Sequence, residues 1–438
     1  MGDLSTFLSA GTGDLGRRVE ELVRDHALLW RSAPAGPPPP GRCYARADKR
    51  NAERDFSDLV AKLSSEEVRG ACLDGSLEPS RLEELAGGLR PGFKRVIRLA
   101  DLPLEAVYDA RFVDSTRRFL QAARDFDPGL DLDSAYQALR NVWIMNSLQF
   151  DLGLPVEPTD AVFAYSMVYP YLDNVLDDAG SGEGGKLALL ARLRSWLEGS
   201  PQAAASAREE KLFSLVRLIE GRFSRLGFPG VYESLLAIYN GQVKSLLQQR
   251  QGAATTGDEI LSISLEKGGT SVLADGYLVA GALGPEDEEF CFAFGTFLQL
   301  ADDLQDIAED IRCGRRTWFS TPPDGAPLDQ AVLRLESYIG AVLRRARRKG
   351  TAGRAALCDV IGNGVALMVR EAVGKQPDRF SRAFVRRAGR AFPVRFSYLR
   401  RLRRRLAGMI PRGGTRLADI DPGLAALMAL SSRALALD

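Results

Sequence analysis

From about residue 46 onward, apolar residues recur at i, i+3, i+4 and i+7, as in FVDSTRRFLQAARDF (112–126) and AYQALRNVWIMNSLQF (135–150). This spacing turns one face of an α-helix toward a core. Alternating strand patterns are hard to find. Loop signals punctuate the helical stretches at GLPVEPTD (153–160), AGSGEGG (179–185), QGAATTGD (251–258), STPPDGAP (320–327) and PRGGT (411–415),. No fixed-period repeat is present. The pattern predicts an all-α bundle of about ten to fourteen helices, with residues 46–438 as one domain. Residues 1–45 read as an N-terminal arm: a helical stretch, LGRRVEELVRDHALLW, runs into RSAPAGPPPPGR, whose four consecutive prolines must be extended,.

Composition narrows the chemistry. Hydrophobic residues make up 45% of the 438 and charged ones 26%, which permits a sizeable core,. The 58 basic and 57 acidic side chains give a net charge of +1, so no global charge points to nucleic acid,. Five scattered cysteines without CxxC spacing fit reduced thiols in a cytoplasmic protein,. His26 is the single histidine, near the N-terminus, which argues against His-based zinc sites and Ser-His or Cys-His nucleophile machinery,. Whatever chemistry occurs runs on carboxylates, Lys, Arg or Tyr. The N-terminal residues lack the basic-then-apolar order of a signal peptide, and uncharged apolar runs of about 18 residues are missing.

Two acidic stretches stand out. YLDNVLDD (171–178) places Asp173 and Asp177 one turn apart and adds Asp178. FGTFLQLADDLQDIAEDIRCGRRTWF (294–319), read as one helix, puts Asp302, Asp306 and Asp310 at i, i+4 and i+8, with Asp303 and Glu309 at the margins,. Like charges at this spacing destabilise a helix by roughly 0.2–0.5 kcal/mol per pair. A solvated acidic face is the plain explanation for one such stripe. Two stripes, each preceded by an apolar and aromatic stretch, favour a hard cation. Oxygen-only donors suit Mg²⁺, which keeps positions open for phosphate oxygens. Two acidic helices facing each other could hold several Mg²⁺ ions and a diphosphate, with the apolar faces around its hydrocarbon.

These residues resemble the class I isoprenoid synthases, the helical superfamily of trans-prenyltransferases, squalene and phytoene synthases, and terpene synthases. The stretch from Gly295 through Gln299, Asp302 and Asp303 to Asp306 is similar to the second aspartate-rich motif of prenyl diphosphate synthases. Together with Glu309, Asp310 and GRR (314–316) it also resembles the phytoene synthase pattern. YLDNVLDD resembles the first motif of large, prenyltransferase-like terpene synthases, called class IB. In between, Gly241-Gln242, Lys267 with Thr270, and YLVAGALG (277–284) follow the family order, so the motif core spans about 130–320. Two departures matter. No Arg pair follows the first cluster, which weakens a second diphosphate site, and Asp275 stands where squalene synthases place a catalytic Tyr.

The resemblance implies a terpene synthase that ionises one prenyl diphosphate, cyclises or deprotonates the cation and releases pyrophosphate. Head-to-head coupling, prenyl elongation and a non-catalytic membrane-associated helical protein are the alternatives. Asp173, Asp177, Asp302 and Asp306 are the leading ligands of three Mg²⁺ ions, with Mn²⁺ as substitute; Asp178, Asp303 and Asp310 are second choices. Gln299 would orient a ligand carboxylate or a metal-bound water. Lys267, Arg315 and Arg316 are candidate diphosphate contacts, joined by Gln242 and by Arg140 on an otherwise apolar helix. Tyr165, Tyr169, Phe297 and Tyr277 are candidate cavity-lining aromatics, with Tyr169 placed to cap the cavity. The basic, amphipathic stretch 386–412 suits either peripheral contact with the inner face of a membrane or a solvated helix packed on the bundle, and a homodimer is a further expectation.

Overall fold

The computed structural model describes residues 7–36, 43–63, 110–176, 183–200, 202–246, 256–321, 327–407 and 416–417. Among them the chain forms fifteen α-helices and no strand, apart from an isolated bridge between Asp131 and Arg416. In order these are α1 (Gly13–Ser32), α2 (Arg46–Leu63), α3 (Ala110–Phe126), α4 (Leu132–Asp151), α5 (Asp160–Leu176), α6 (Glu183–Leu197), α7 (Ala207–Arg222) and α8 (Pro229–Ser245). Then follow α9 (Gly257–Ala280), α10 (Pro285–Gln305), α11 (Ile307–Cys313), α12 (Asp329–Lys349), α13 (Ala352–Lys375), α14 (Arg382–Arg390) and α15 (Phe396–Ala407). The all-α class is the one the periodicity predicts. The helix count is higher than expected partly because the second acidic stretch is two helices. Asp306, at φ −101° and ψ 13°, ends α10, and α11 starts at the next residue.

Local chemistry sets the helix starts. Asp131 accepts from the Ser134 N–H at α4 and Ser206 from the Glu209 N–H at α7. Thr256 and Glu259 form a reciprocal capping box at α9,. Pro229 and Pro285 stand in the first turns of α8 and α10, where a missing N–H costs nothing,.

The centre of the bundle is the pair α9 and α10, which touch through glycine. A Cβ on Gly295 would stand 1.9 Å from the Gly268 carbonyl oxygen, so only hydrogen fits at this crossing. Around the pair stand α8, α5, α4, α13 and α1.

The N-terminal helix is integral rather than peripheral. Leu15, Val19, Leu22 and Trp30 of α1 are buried, and His26 Nδ1 shares a 2.6 Å hydrogen bond with the Tyr338 hydroxyl, itself 2.7 Å from Thr296 Oγ1. Burial pulls the His26 pKa down to about 4, so its imidazole is neutral.

At the other end of the chain, α14 and α15 spend their apolar residues inward. Phe392, Leu399 and Leu402 are buried, Phe396 lies against Gly374, and Tyr398 shares a 2.9 Å hydrogen bond with Ser57. These apolar residues pack against the rest of the chain, and the exposed positions carry arginines such as Arg386, Arg390 and Arg401. Residues 408–412 of that stretch lie outside the described residues. By length and composition α13 could cross a bilayer, yet it packs against α12, α10 and α14.

Candidate functional site

Three helices build the site. Along α9, Lys267, Ser271 and Asp275 share one face at i, i+4 and i+8,. Along α5, Tyr165 and Tyr169 share a face that continues to position 173. The Tyr169 hydroxyl bonds to Ser271 at 2.5 Å and donates to the Tyr165 hydroxyl at 3.3 Å. One turn further, Ser166 on α5 and Asp275 on α9 share the amide of Asn141 from α4. Lower numbers on α5 thus meet higher numbers on α9, so the two helices are antiparallel. This register brings position 173, in the last turn of α5, level with Lys267. The Asp173 side chain, and Asp177 and Asp178 entirely, lie outside the described residues.

The second acidic stretch comes to the same end. Asp303 is buried and accepts from Gln299 Nε2 at 2.8 Å and from Ser264 Oγ, one turn before Lys267 on α9, at 3.0 Å. Gln299 thus donates to a carboxylate one turn further along α10. Asp302, the residue just before it, is exposed. Desolvation and the Asp306 charge raise its pKa; Arg140, Lys267 and Lys375 oppose the rise. Desolvation, chiefly, also lifts Asp303 to about 7 and Asp310 to about 6. The carboxylates are thus crowded into an environment that disfavours their charge, and a cation would relieve it.

The stripe expected on one helix is divided by the break at Asp306. Asp302 and Asp306 stay mutually close, with Lys375 Nζ 3.9 Å from Asp306. Asp310 falls on α11, buried, where Arg315 Nε lies 3.3 Å away and Thr317 donates to it at 3.3 Å. Arg315 also lies 3.5 Å from Glu309, so its charge is engaged within the acidic segment. Arg316 follows half-buried. Neither Lys267 nor Arg140 makes an ion pair within 4 Å among the described residues, yet both charges act on Asp302. Arg140 is exposed rather than buried, contrary to what its apolar helix suggests.

The Gly-Gln and Lys-Thr motifs, apart in sequence, meet in space. A Cβ on Gly241 would lie 3.2 Å from both Lys267 Cα and Thr270 Oγ1, so α8 approaches α9 closely there and carries half-buried Gln242 alongside. Two further candidate aromatics make contacts of their own. Phe297 is fully buried on the core face of α10 against Phe294, and Tyr277, nearly three turns from Lys267, donates to Glu288 at 2.6 Å. Residues that sequence reading did not select include Ser264, Ser271 and Lys375. The i, i+4, i+8 spacing from Lys267 could have flagged Ser271; nothing local marks Lys375.

A recess of about 460 Å³ lies on another side of α5, lined by Tyr171, Leu189, Arg192, Glu209 and Leu212. Its Arg192 and Glu209 bond to each other at 2.8 Å, which leaves it no free reactive group from that pair. Among the described residues no three Asp, Glu, His or Cys groups form a ready metal cage. The donor set at the α9–α10 end is nevertheless all oxygen, with one like-charged carboxylate pair facing solvent. That chemistry fits a hard divalent cation. No family model, no curated protein and no solved structure matches the chain.

Proposed function

We propose that the protein is a Mg²⁺-dependent terpene synthase that ionises a single prenyl diphosphate, lets the carbocation cyclise or lose a proton, and releases pyrophosphate. The observation that carries it is the register of α5 on α9, which brings the end of the first acidic helix level with Lys267, beside Asp302. Two carboxylate motifs far apart in sequence, with two cations that have no ion pair among the described residues, form the kind of end that a metal-bound diphosphate requires. In this reading the bundle is a class I isoprenoid synthase fold with an apolar cavity running inward from that end.

Asp302, Asp306, Asp173 and Asp177 would hold the ions, and Mg²⁺ bound there supplies charge neutralisation for the departing diphosphate. Asp303 takes a positioning role, because Gln299 and Ser264 already occupy its oxygens. Lys267 and Arg140 would grip diphosphate oxygens. Arg315, engaged by Asp310, would hold the end of the acidic segment in place. Tyr169, fixed by Ser271, would narrow the cavity one turn below the diphosphate and limit which chains pass to its inner end.

The test is product analysis by mass spectrometry with Mg²⁺ and C10, C15, C20 or C25 prenyl diphosphates, each with and without isopentenyl diphosphate. A hydrocarbon or alcohol from one substrate alone, lost in Asp302→Ala and Asp306→Ala, is the expected result. Longer diphosphates formed only with isopentenyl diphosphate would replace the proposal with elongation. No turnover of any substrate would remove it.

A further inference from the structure

One buried polar group has no task in the chemistry above. Asp275 lies two turns beyond Lys267 on α9 at 0% exposure. Its Oδ1 accepts from Asn141 Nδ2 at 3.0 Å, whereas its buried Oδ2 has no hydrogen-bond partner among the described residues. Leaving such an atom unsatisfied is costly, and a leucine there would avoid the cost. The surroundings are polar as well. The same Asn141 amide donates to Ser166 Oγ at 3.2 Å. Pro170, inside α5, has no N–H to offer the Ser166 carbonyl one turn back,. The Tyr165 hydroxyl is close enough for Asp275 to act on its charge. Helices α4, α5 and α9 each bring polar side chains to one buried place, where a core ordinarily has none.

This place is connected to the candidate site. Lys267, Ser271 and Asp275 form one line along α9, about 12 Å long at 1.5 Å per residue. Ser271 and Tyr169, midway, are half-buried; Tyr165 and Asp275, beyond them, are buried. Burial raises the Asp275 pKa well above the ordinary carboxylate value, against the Asn141 hydrogen bond, which favours its neutral form,. With Oδ1 taken by Asn141, it offers one O–H donor. A hydrocarbon cannot satisfy that donor; an oxygen atom can.

We propose that Asp275, held by Asn141, binds one neutral oxygen at the inner end of the α5–α9 face, carried by a hydroxyl on an isoprenoid ligand or by a trapped water. The ligand class rests on the proposed function; the oxygen site rests on the orphan Oδ2 and its polar surroundings. Asp275 is then a specificity-determining residue for oxygenated over purely hydrocarbon chains.

The test uses the full chain with Mg²⁺ and calorimetry. Farnesyl and geranylgeranyl thiolodiphosphates, which resist ionisation, are compared with counterparts carrying a hydroxyl on the terminal isoprene unit. The affinity ratio of hydroxylated to plain ligand should fall tenfold or more in Asp275→Leu. It should persist in Asp275→Asn, whose amide accepts from Asn141 and still donates. Melting curves check folding, and Asp275→Ala carries the comparison if leucine does not fit. A second arm runs turnover in ¹⁸O-water. Label in the product of the wild type and Asp275→Asn, with unlabelled hydrocarbon from Asp275→Leu, assigns the oxygen to water. An unchanged affinity ratio and unchanged labelling in all variants overturn the oxygen site and leave the proposed function standing. No binding of the plain thiolodiphosphates and no pyrophosphate release by the wild type overturn both.

Discussion

Replacing Gly295 by alanine tests whether the α9–α10 crossing is as tight as it looks. The added methyl would stand 1.9 Å from the Gly268 carbonyl oxygen and 2.7 Å from its carbonyl carbon. A carbon–oxygen contact needs about 3.3 Å, so the helices must separate by about 1.4 Å. The obstacle is backbone, which no rotamer change can move aside. Overpacking of this kind costs about 1–3 kcal/mol, and separation also strains the 3.0 Å bond from Ser264 to Asp303, worth about 1 kcal/mol. The expected loss is therefore about 2–4 kcal/mol, read from urea midpoints and slopes. Gly364, in the interior of α13, has open space where a Cβ would stand, with no neighbouring atom within 4 Å; Gly364→Ala should stabilise by roughly 0.5–1 kcal/mol through helix propensity. A Gly295→Ala protein within about 0.5 kcal/mol of wild type, the spread of an unremarkable substitution, would refute the close crossing, and with it the placement of Asp303 against α9.

Three further outcomes follow from single residues. His26 is neutral and buried when folded, with a pKa of about 4 against 6.5 when unfolded. Its contribution is complete above pH 6.5 and is lost as pH falls toward 4, by roughly 3 kcal/mol. His26→Phe should flatten the fall in stability across that window, and an unchanged pH profile would contradict the assignment. Arg354 donates to Asp151 at 2.9 Å and to Asp287 at 2.8 Å, nearly all of it buried. Arg354→Met should destabilise by about 3–5 kcal/mol, as removal of one partner strands a buried charge, and a loss below about 1 kcal/mol by denaturation would argue against the pair. Tyr169→Ala should admit longer prenyl diphosphates in turnover assays; an unchanged substrate range would remove its role in limiting chain length.

Much of the fold is legible in the sequence because helical periodicity and loop punctuation are local signals. The 3.6-residue repeat in 112–126 and 135–150 becomes α3 and α4 almost residue for residue. The break at Asp306 was not legible, since i, i+4 spacing is the same whether or not the backbone stays helical. Position in the chain misled for α1, whose apolar face docks through Trp30 and His26 onto distant helices. Asp302 and Asp303 are adjacent in sequence and face different surroundings. Asp303 is held by Gln299 and by the distant Ser264, whereas Asp302 faces solvent. Long-range partners of this kind leave no local pattern to read.

The most direct measurement of the central claim is the binding of Mn²⁺ and inorganic pyrophosphate, followed by electron paramagnetic resonance of the free ion. If the two acidic stretches share one metal–diphosphate centre, pyrophosphate and Mn²⁺ tighten each other's binding, and Asp173→Asn or Asp302→Asn alone abolishes that coupling. Asp378→Asn, on the exposed turn before α14, leaves it intact. Independent binding of Mn²⁺ and pyrophosphate in the wild type, or coupling that survives both substitutions, would contradict the shared centre.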